Sequence, residues 1–270
     1  MNSREPIGVF DSGVGGLTVV KEIFRQLPQE NLIYVGDNAR CPYGSRPPQQ
    51  VREFAFEIMD FLLEFGVKMI IIACNTATAA SLSEAKNRYA VPVLGVITPG
   101  SRAAISATRT GRIGVIGTEV TVSTGAYARE IHRINPRLQV VSQACPPFVP
   151  IVEEGTIHSP QTEQAVAQYL APLQREMIDT LILGCTHYPL LQPVIQKVLG
   201  EQVQLISSAE ETAREASLIL AERNLLNDHN MRPVHRFFTS GDRNLFSRIA
   251  ERWLGQPVAV ESWDLQALSK

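Results

Sequence analysis

Two cysteines stand at matching places in this chain. Ile71-Ile72-Ala73-Cys74-Asn75-Thr76 and Ile182-Leu183-Gly184-Cys185-Thr186-His187 are each an apolar, strand-like run that ends on a cysteine and continues into small polar residues. A second pair, Ile7-Gly8-Val9-Phe10-Asp11-Ser12-Gly13 and Ile113-Gly114-Val115-Ile116-Gly117-Thr118-Glu119, repeats at nearly the same offset. The chain therefore reads as two related halves. If each half sets its cysteine at the same point of the same fold, two thiols can face each other across the cleft between them. That arrangement suits a reaction that takes a proton from one face of a carbon and returns one to the other.

A thiol has a reference pKa of about 8.5 and is a poor base until a helix N-terminus or a nearby cation lowers that value. Both cysteines are expected in that setting. Asn75 to Ala80 reads as a capped helix start after Cys74, and Pro189, shortly after Cys185, suits a first helical position. A lone cysteine at the end of an apolar strand is usually inert core, a reading that the matched pair weighs against. His187, two residues after Cys185, is a candidate acid or base. Metal ligation is not expected, because Cys-x-His supplies at most two ligands. Asp11 is the matching group near Cys74, or else a turn carboxylate. Glu153 either reaches the cleft and tunes His187 or belongs to a solvated acidic face.

Two loops add candidates. Asp11 to Thr18 is glycine-rich, but Thr18 stands where a dinucleotide fingerprint needs its third glycine, and no Gly-Lys-Ser/Thr follows. What remains is a cradle of backbone N–H groups that would fit a carboxylate. In the loop from Gly36 to Gly44, Cys41 lies beside Arg40 yet has no counterpart in the second half. It is assigned a structural or lining role.

Short apolar runs alternate with segments of helical period, the signature of α/β units around mostly parallel sheets. Strands are expected at Ile7–Phe10, Leu32–Val35, Met69–Ala73, Val93–Val96, Arg112–Ile116, Gln139–Ser142, Thr180–Leu183, Gln204–Ile206, His235–Thr239 and Val258–Glu261. Helices are expected at Thr18–Gln26, Gln50–Phe65, Ala77–Arg88, Val120–Ile134, Gln161–Arg175, Ala209–Arg223 and Asn244–Trp253. In such folds ligands sit at the carboxyl ends of the strands, where these candidates fall. The last two strand–helix units have no copy mid-chain, so residues 208–270 are expected to return and complete a first domain begun by 1–97. Residues 98–207 then form an inserted second domain, with crossings near Thr98-Pro99-Gly100 and Ser207-Ser208.

With 270 residues, 44% hydrophobic and 19% charged, the chain can bury a substantial core, and nothing marks it as disordered. A net charge of −2 offers no basic stripe for nucleic acid or anionic membrane, which leaves a small-molecule partner. No secretory leader or membrane-length apolar run is read, and the four scattered cysteines form no disulfide or zinc pattern, so a reducing cytoplasm is the expected location.

Four motifs in order, Asp-Ser-Gly-x-Gly-Gly-Leu-Thr at 11–18, Gly-Asp-x-x-x-x-Pro-Tyr-Gly at 36–44, Ala-Cys-Asn-Thr-Ala-Thr at 73–78 and Gly-Cys-Thr-His-Tyr-Pro-Leu-Leu at 184–191, resemble bacterial glutamate racemases of the aspartate/glutamate racemase family. Thr-Ser-Gly-Asp at 239–242 extends the match. The resemblance implies a pair of pseudo-symmetric α/β domains with the active site in the cleft between them, usually as a homodimer. It implies cofactor-independent interconversion of L- and D-glutamate, with D-glutamate supplied to peptidoglycan synthesis. Carried over to this sequence, Cys74 and Cys185 are the acid/base thiols, Cys74 acting on D-glutamate and Cys185 on L-glutamate. Asp11 and His187 match the assisting groups, and Glu153 partners His187. Substrate contacts map to Asp11, Ser12, Tyr43, Gly44, Asn75, Thr76, Thr186 and His187, with Thr118 and Thr121 nearby. Aspartate is the rival substrate.

Overall fold

In the computed structural model, which describes residues 2–228 and 231–264, strands and helices alternate along the chain. The order is β1 (Ile7–Asp11), α1 (Leu17–Gln26), β2 (Leu32–Gly36), α2 (Pro48–Glu64), β3 (Met69–Ile72), α3 (Asn75–Arg88), β4 (Val93–Gly95) and α4 (Ile97–Ala107). It continues with β5 (Arg112–Gly117), α5 (Glu119–Ser123), α6 (Ala126–Ile134), β6 (Gln139–Ala144), α7 (Phe148–Glu153), α8 (Pro160–Arg175), β7 (Thr180–Gly184), α9 (Gln192–Leu199) and β8 (Gln204–Ser207). Then come α10 (Ser208–Glu222), β9 (His235–Thr239), α11 (Arg243–Leu254) and β10 (Val260–Ser262).

The repeat in the sequence is a repeat in topology. One sheet runs β10-β9-β2-β1-β3-β4 and the other β6-β5-β7-β8, so the order second-first-third-fourth recurs in both. Every ladder among the described residues is parallel. Parallel sheets need apolar cover on both faces, which is why the central strands read as unbroken hydrophobic runs. In β3, Met69 and Ile71 join the core under α1 and α10, while Ile70 and Ile72 join the opposite core under α2 and α3. The second sheet is covered likewise, by α7 to α9 on one face and by α4 and α6 on the other. With all strands parallel, each sheet has one carboxyl edge, and the two edges meet.

All ten expected strands occur, the last shifted to Val260–Ser262. The expected helix Val120–Ile134 is two helices, because Gly125 takes a left-handed φ of 61° between α5 and α6. Two helices were not expected, α4 and α7, and a third, α9, was expected only as a helix start at Pro189, which falls in a 3₁₀ turn at Tyr188–Leu191 that leads into it. Each carries a proline in its first turn, at Pro99, Pro150 and Pro193 respectively. A first-turn N–H has no partner inside its helix, so proline is tolerated there. Thr98-Pro99-Gly100 thus lies in the first turn of α4, and Ser207-Ser208 at the β8–α10 junction.

At the amino end of β3, away from Cys74, the buried Lys68 pairs with the buried Glu30 at 2.5 Å. It also donates to the carbonyls of Ser3 and Leu225 at 2.5 and 2.8 Å. Removing one partner of a buried pair strands the other charge. We expect Lys68→Met to lower stability by about 3–5 kcal/mol, measured as a shifted urea midpoint, and the double variant Lys68→Met/Glu30→Leu to recover most of that loss. A change under about 1 kcal/mol in the single variant would mean the pair behaves as a solvated one.

Candidate active site

Cys74 and Cys185 follow the equivalent strands β3 and β7 and are both buried. Their surroundings differ in charge. Cys74 is the N-cap of α3, its Sγ accepting from the Ala77 N–H at 3.4 Å and donating to Ser12 Oγ at 3.8 Å. Burial, seconded by the carboxylate of Asp11, pushes the Cys74 thiol up to about 12 against the pull of the Ala77 N–H. The helix terminus was expected to prevail here, and it does not. Desolvation of the thiolate is the larger effect, so Cys74 holds its proton near neutral pH.

Cys185 faces a cation. Its Sγ lies 3.8 Å from His187 Nδ1, and His187 Nε2 lies 3.2 Å from Glu153 Oε1. Burial drags the imidazole down, but the hydrogen bonds to Cys185 and Glu153, helped by the charges of Cys185 and Asp11, push it up to about 10. Glu153, the last residue of α7, is lowered by the bond from His187 against its own partial burial. Glu153 also accepts from the Cys41 thiol at 3.8 Å. Cys41 therefore reaches the site, and burial followed by the charge of Glu153 keeps it protonated.

The glycine-rich loop is a carboxylate cradle whose occupant comes from the same chain. Asp11 Oδ2 accepts from the N–H groups of Gly13 and Gly16 at 3.1 and 3.0 Å. Burial nevertheless raises its pKa, opposed by His187 and by those N–H bonds. The turn and catalytic readings of Asp11 are compatible, because its other oxygen accepts from Thr186 Oγ1 at 3.5 Å. Close approach explains the neighbouring glycine: a Cβ at Gly15 would stand 2.3 Å from Thr186 Oγ1 and 2.8 Å from the His187 ring.

The remaining candidates line the seam between the two sheets. Thr76 Oγ1 meets Thr118 Oγ1 at 2.9 Å and Thr121 Oγ1 at 3.4 Å, and Thr118 meets Thr121 at 3.1 Å. The Gly44 carbonyl accepts from Val120 N at 3.2 Å. Asn75 Oδ1 accepts from the Tyr127 hydroxyl at 2.6 Å. Tyr43 is not brought in by its side chain. Its hydroxyl bonds to Asp37, and its ring lies in the core against Phe54. The seam is shut beside Cys185, where the cavity lined by Asn75, Cys185 and Thr186 measures about 10 Å³, room for about one water molecule, while a cleft of about 420 Å³ lies between Gly44 and Ser45 of the first half and Thr118, Cys145 and Glu153 of the second. Sequence reasoning missed Tyr127, since a tyrosine on the apolar side of a helix carries no signal apart from core packing.

The chain is similar to known proteins along most of its length. The family model described as Asp/Glu/Hydantoin racemase matches residues 7–216. The chain belongs to that family. A glutamate racemase from Bacillus cereus is 52% identical over 258 residues, 96% of each chain. The crystal structure of a glutamate racemase from Bacillus anthracis superposes with a TM-score of 0.95 at 51% identity, covering 98% of this chain and 99% of that one. A glutamate racemase from Francisella tularensis, solved with D-glutamate, gives a TM-score of 0.92 at 37% identity over the same shares.

His187 binds its proton more tightly folded than unfolded, so its contribution to stability is complete below about pH 6.5 and is lost as pH rises towards about 10. The melting temperature should therefore fall between pH 6.5 and about 8, before the thiols of the unfolded chain begin to ionise near 8.5. His187→Asn should flatten that slope, and equal slopes in the two proteins would show that the folded imidazole is neutral.

Proposed function

We propose that the protein interconverts L- and D-glutamate by proton transfer at the α-carbon between Cys74 and Cys185. The observation that carries this reading is the matched pair of buried thiols with opposite partners, an anion beside Cys74 and a cation beside Cys185, in a chain of the racemase family. For L-glutamate, Cys185 takes the α-proton with His187 holding the opposing positive charge, and the protonated Cys74 delivers a proton to the other face. For D-glutamate the roles reverse. Charge that builds on the substrate carboxylate during transfer needs fixed donors, which Ser12, Thr76 and Thr186 supply in this reading, while Asn75 holds that carboxylate in ground and transition states alike. Asp11 assists at Cys74, and Glu153 orients His187. Of the PYG loop, the backbone at Gly44, rather than the Tyr43 phenol, is placed to contribute.

The shut seam implies that substrate enters by parting of two bodies, residues 1–97 with 208–270 and residues 98–207. Support for that division comes from β9 and β10, which extend the first sheet beside β2. D-glutamate for peptidoglycan is the role that this activity serves. Homodimer formation belongs to the same reading and rests on the family resemblance, and a cytoplasmic location rests on four cysteines without a disulfide or zinc pattern. No described helix is long and apolar enough to cross a membrane.

Incubation with L-glutamate in deuterated buffer, without added cofactor, tests the chemistry. Loss of circular dichroism should be accompanied by solvent deuterium in the D-product from its first appearance. Cys74→Ser and Cys185→Ser should each lower racemisation by about 100-fold or more with melting temperatures close to that of the parent. Full activity in either variant, or faster turnover of aspartate, would overturn the proposal.

A further inference from the structure

Tyr127 is the one residue of α6 that touches the site, and its hydroxyl joins three parts of the molecule. It donates to Asn75 Oδ1 at 2.6 Å, and Asn75 is the first residue of α3, next to Cys74. Ser208 Oγ lies 3.0 Å away on its other side, at the start of α10 where the chain leaves the second sheet. A phenol has one hydrogen. With that hydrogen given to Asn75, Ser208 must be the donor to the phenol oxygen, and the chain of bonds runs one way, from Ser208 through Tyr127 to Asn75.

The ring that carries this hydroxyl has a slot made of bare backbone. A Cβ at Gly184 would stand 3.1 Å from Tyr127 Cε2, and one at Gly100 would stand 3.6 Å from Cε1 and 2.6 Å from Ser208 Oγ. The phenol is fully enclosed, so its oxygen stays between Asn75 and Ser208. Pinning the amide oxygen of Asn75 also fixes its nitrogen. That nitrogen makes no hydrogen bond to the protein among the described residues, and Asn75 lines the small cavity together with Cys185 and Thr186.

We propose that Tyr127 is a positioning residue: by holding the amide oxygen of Asn75 when the seam is shut, it turns the amide nitrogen towards the substrate carboxylate. This rests on the proposed glutamate reading, in which Asn75 contacts substrate. A freely turning amide would present its oxygen to that carboxylate about half the time and repel it. Because Tyr127 comes from the second half and Asn75 from the first, the orientation is set only on closure. The donor is thereby ready when the two thiols are aligned and free to turn when product leaves.

The test is steady-state racemisation of glutamate by the parent and five variants. Tyr127→Phe keeps the ring and should lower kcat/KM about 10-fold, with the loss mainly in KM, since a carboxylate contact is made in ground and transition states alike. A merely structural weakening would instead lower kcat at constant KM. Tyr127→Phe/Asn75→Ala should be no slower than Asn75→Ala alone, and Ser208→Ala should lose less than Tyr127→Phe. Additive losses in the double variant, or an equal loss in Ser208→Ala, would overturn the proposal. If Tyr127→Phe does not fold, Asn75→Asp decides: it keeps the bond from Tyr127 and aims its second oxygen at the substrate, so KM should rise more than 10-fold, and an unchanged KM would overturn the proposal. A parent inactive on glutamate would defeat the functional reading itself. An active parent with an unaffected Tyr127→Phe would defeat only this inference.

Discussion

The imidazolium of His187, held between Cys185 and Glu153 and attracted by the buried Asp11, is the interaction on which the site depends. A reaction that exchanges protons between two faces of a carbon needs two thiols in opposite states at the start of each turnover. Identical surroundings would give neither thiol a distinct role, whereas Cys74 has the Asp11 carboxylate beside it and Cys185 the His187 imidazole. The asymmetry comes from a cation on one side only. Its charge persists through the neutral range because two acceptors and one distant carboxylate overcome the cost of burial.

Duplication explains the placement of the thiols and leaves their inequality to be built by loops. The matching sheet orders put Cys74 and Cys185 at the same point of two copies of one topology, and the parallel strands bring both to a carboxyl edge. What differs lies just beyond the strand ends. In the first half the glycine-rich loop wraps Asp11 and keeps a negative charge beside Cys74. In the second half β7 runs into Thr186 and His187, and α7 brings Glu153 up behind the imidazole. The loops of one half also lean on the other, as the approach of Gly15 to Thr186 and His187 shows.

Much of this was legible in the residues because period and repetition survive without tertiary context. The ten strands and the paired cysteines are local patterns, and so is the capped start of α3. The misses share a physical origin. Proline in a first turn costs a helix nothing, yet in a sequence it can read as a break, which hid α4 and α7. The state of Cys74 depended on a balance between a helix terminus and burial, and sequence shows the first but not the second. The Tyr43 hydroxyl bonds to Asp37, a partner that its place in a recognisable motif does not reveal. Tyr127 had no motif at all. Its importance arises from where α6 falls against two other elements, which no local reading can supply.

The seam also constrains how tightly substrate can be held. In the proposed reading the groups that receive glutamate are the ones that bond across the shut seam: Thr76 to Thr118 and Thr121, Thr186 to Asp11, and Asn75 to Tyr127. Binding at the hydroxyls exchanges one set of hydrogen bonds for another, and such an exchange is worth only about 0.5–1.5 kcal/mol per bond. The bond from Tyr127 to Asn75 stands apart, since it uses the amide oxygen and leaves the nitrogen for substrate. Modest net binding fits a reversible enzyme whose two products are mirror images, because tight capture of either would slow release in one direction. The energy of ordering these groups is spent in folding and closure, so that the charge moving between Cys74 and Cys185 meets donors already in place.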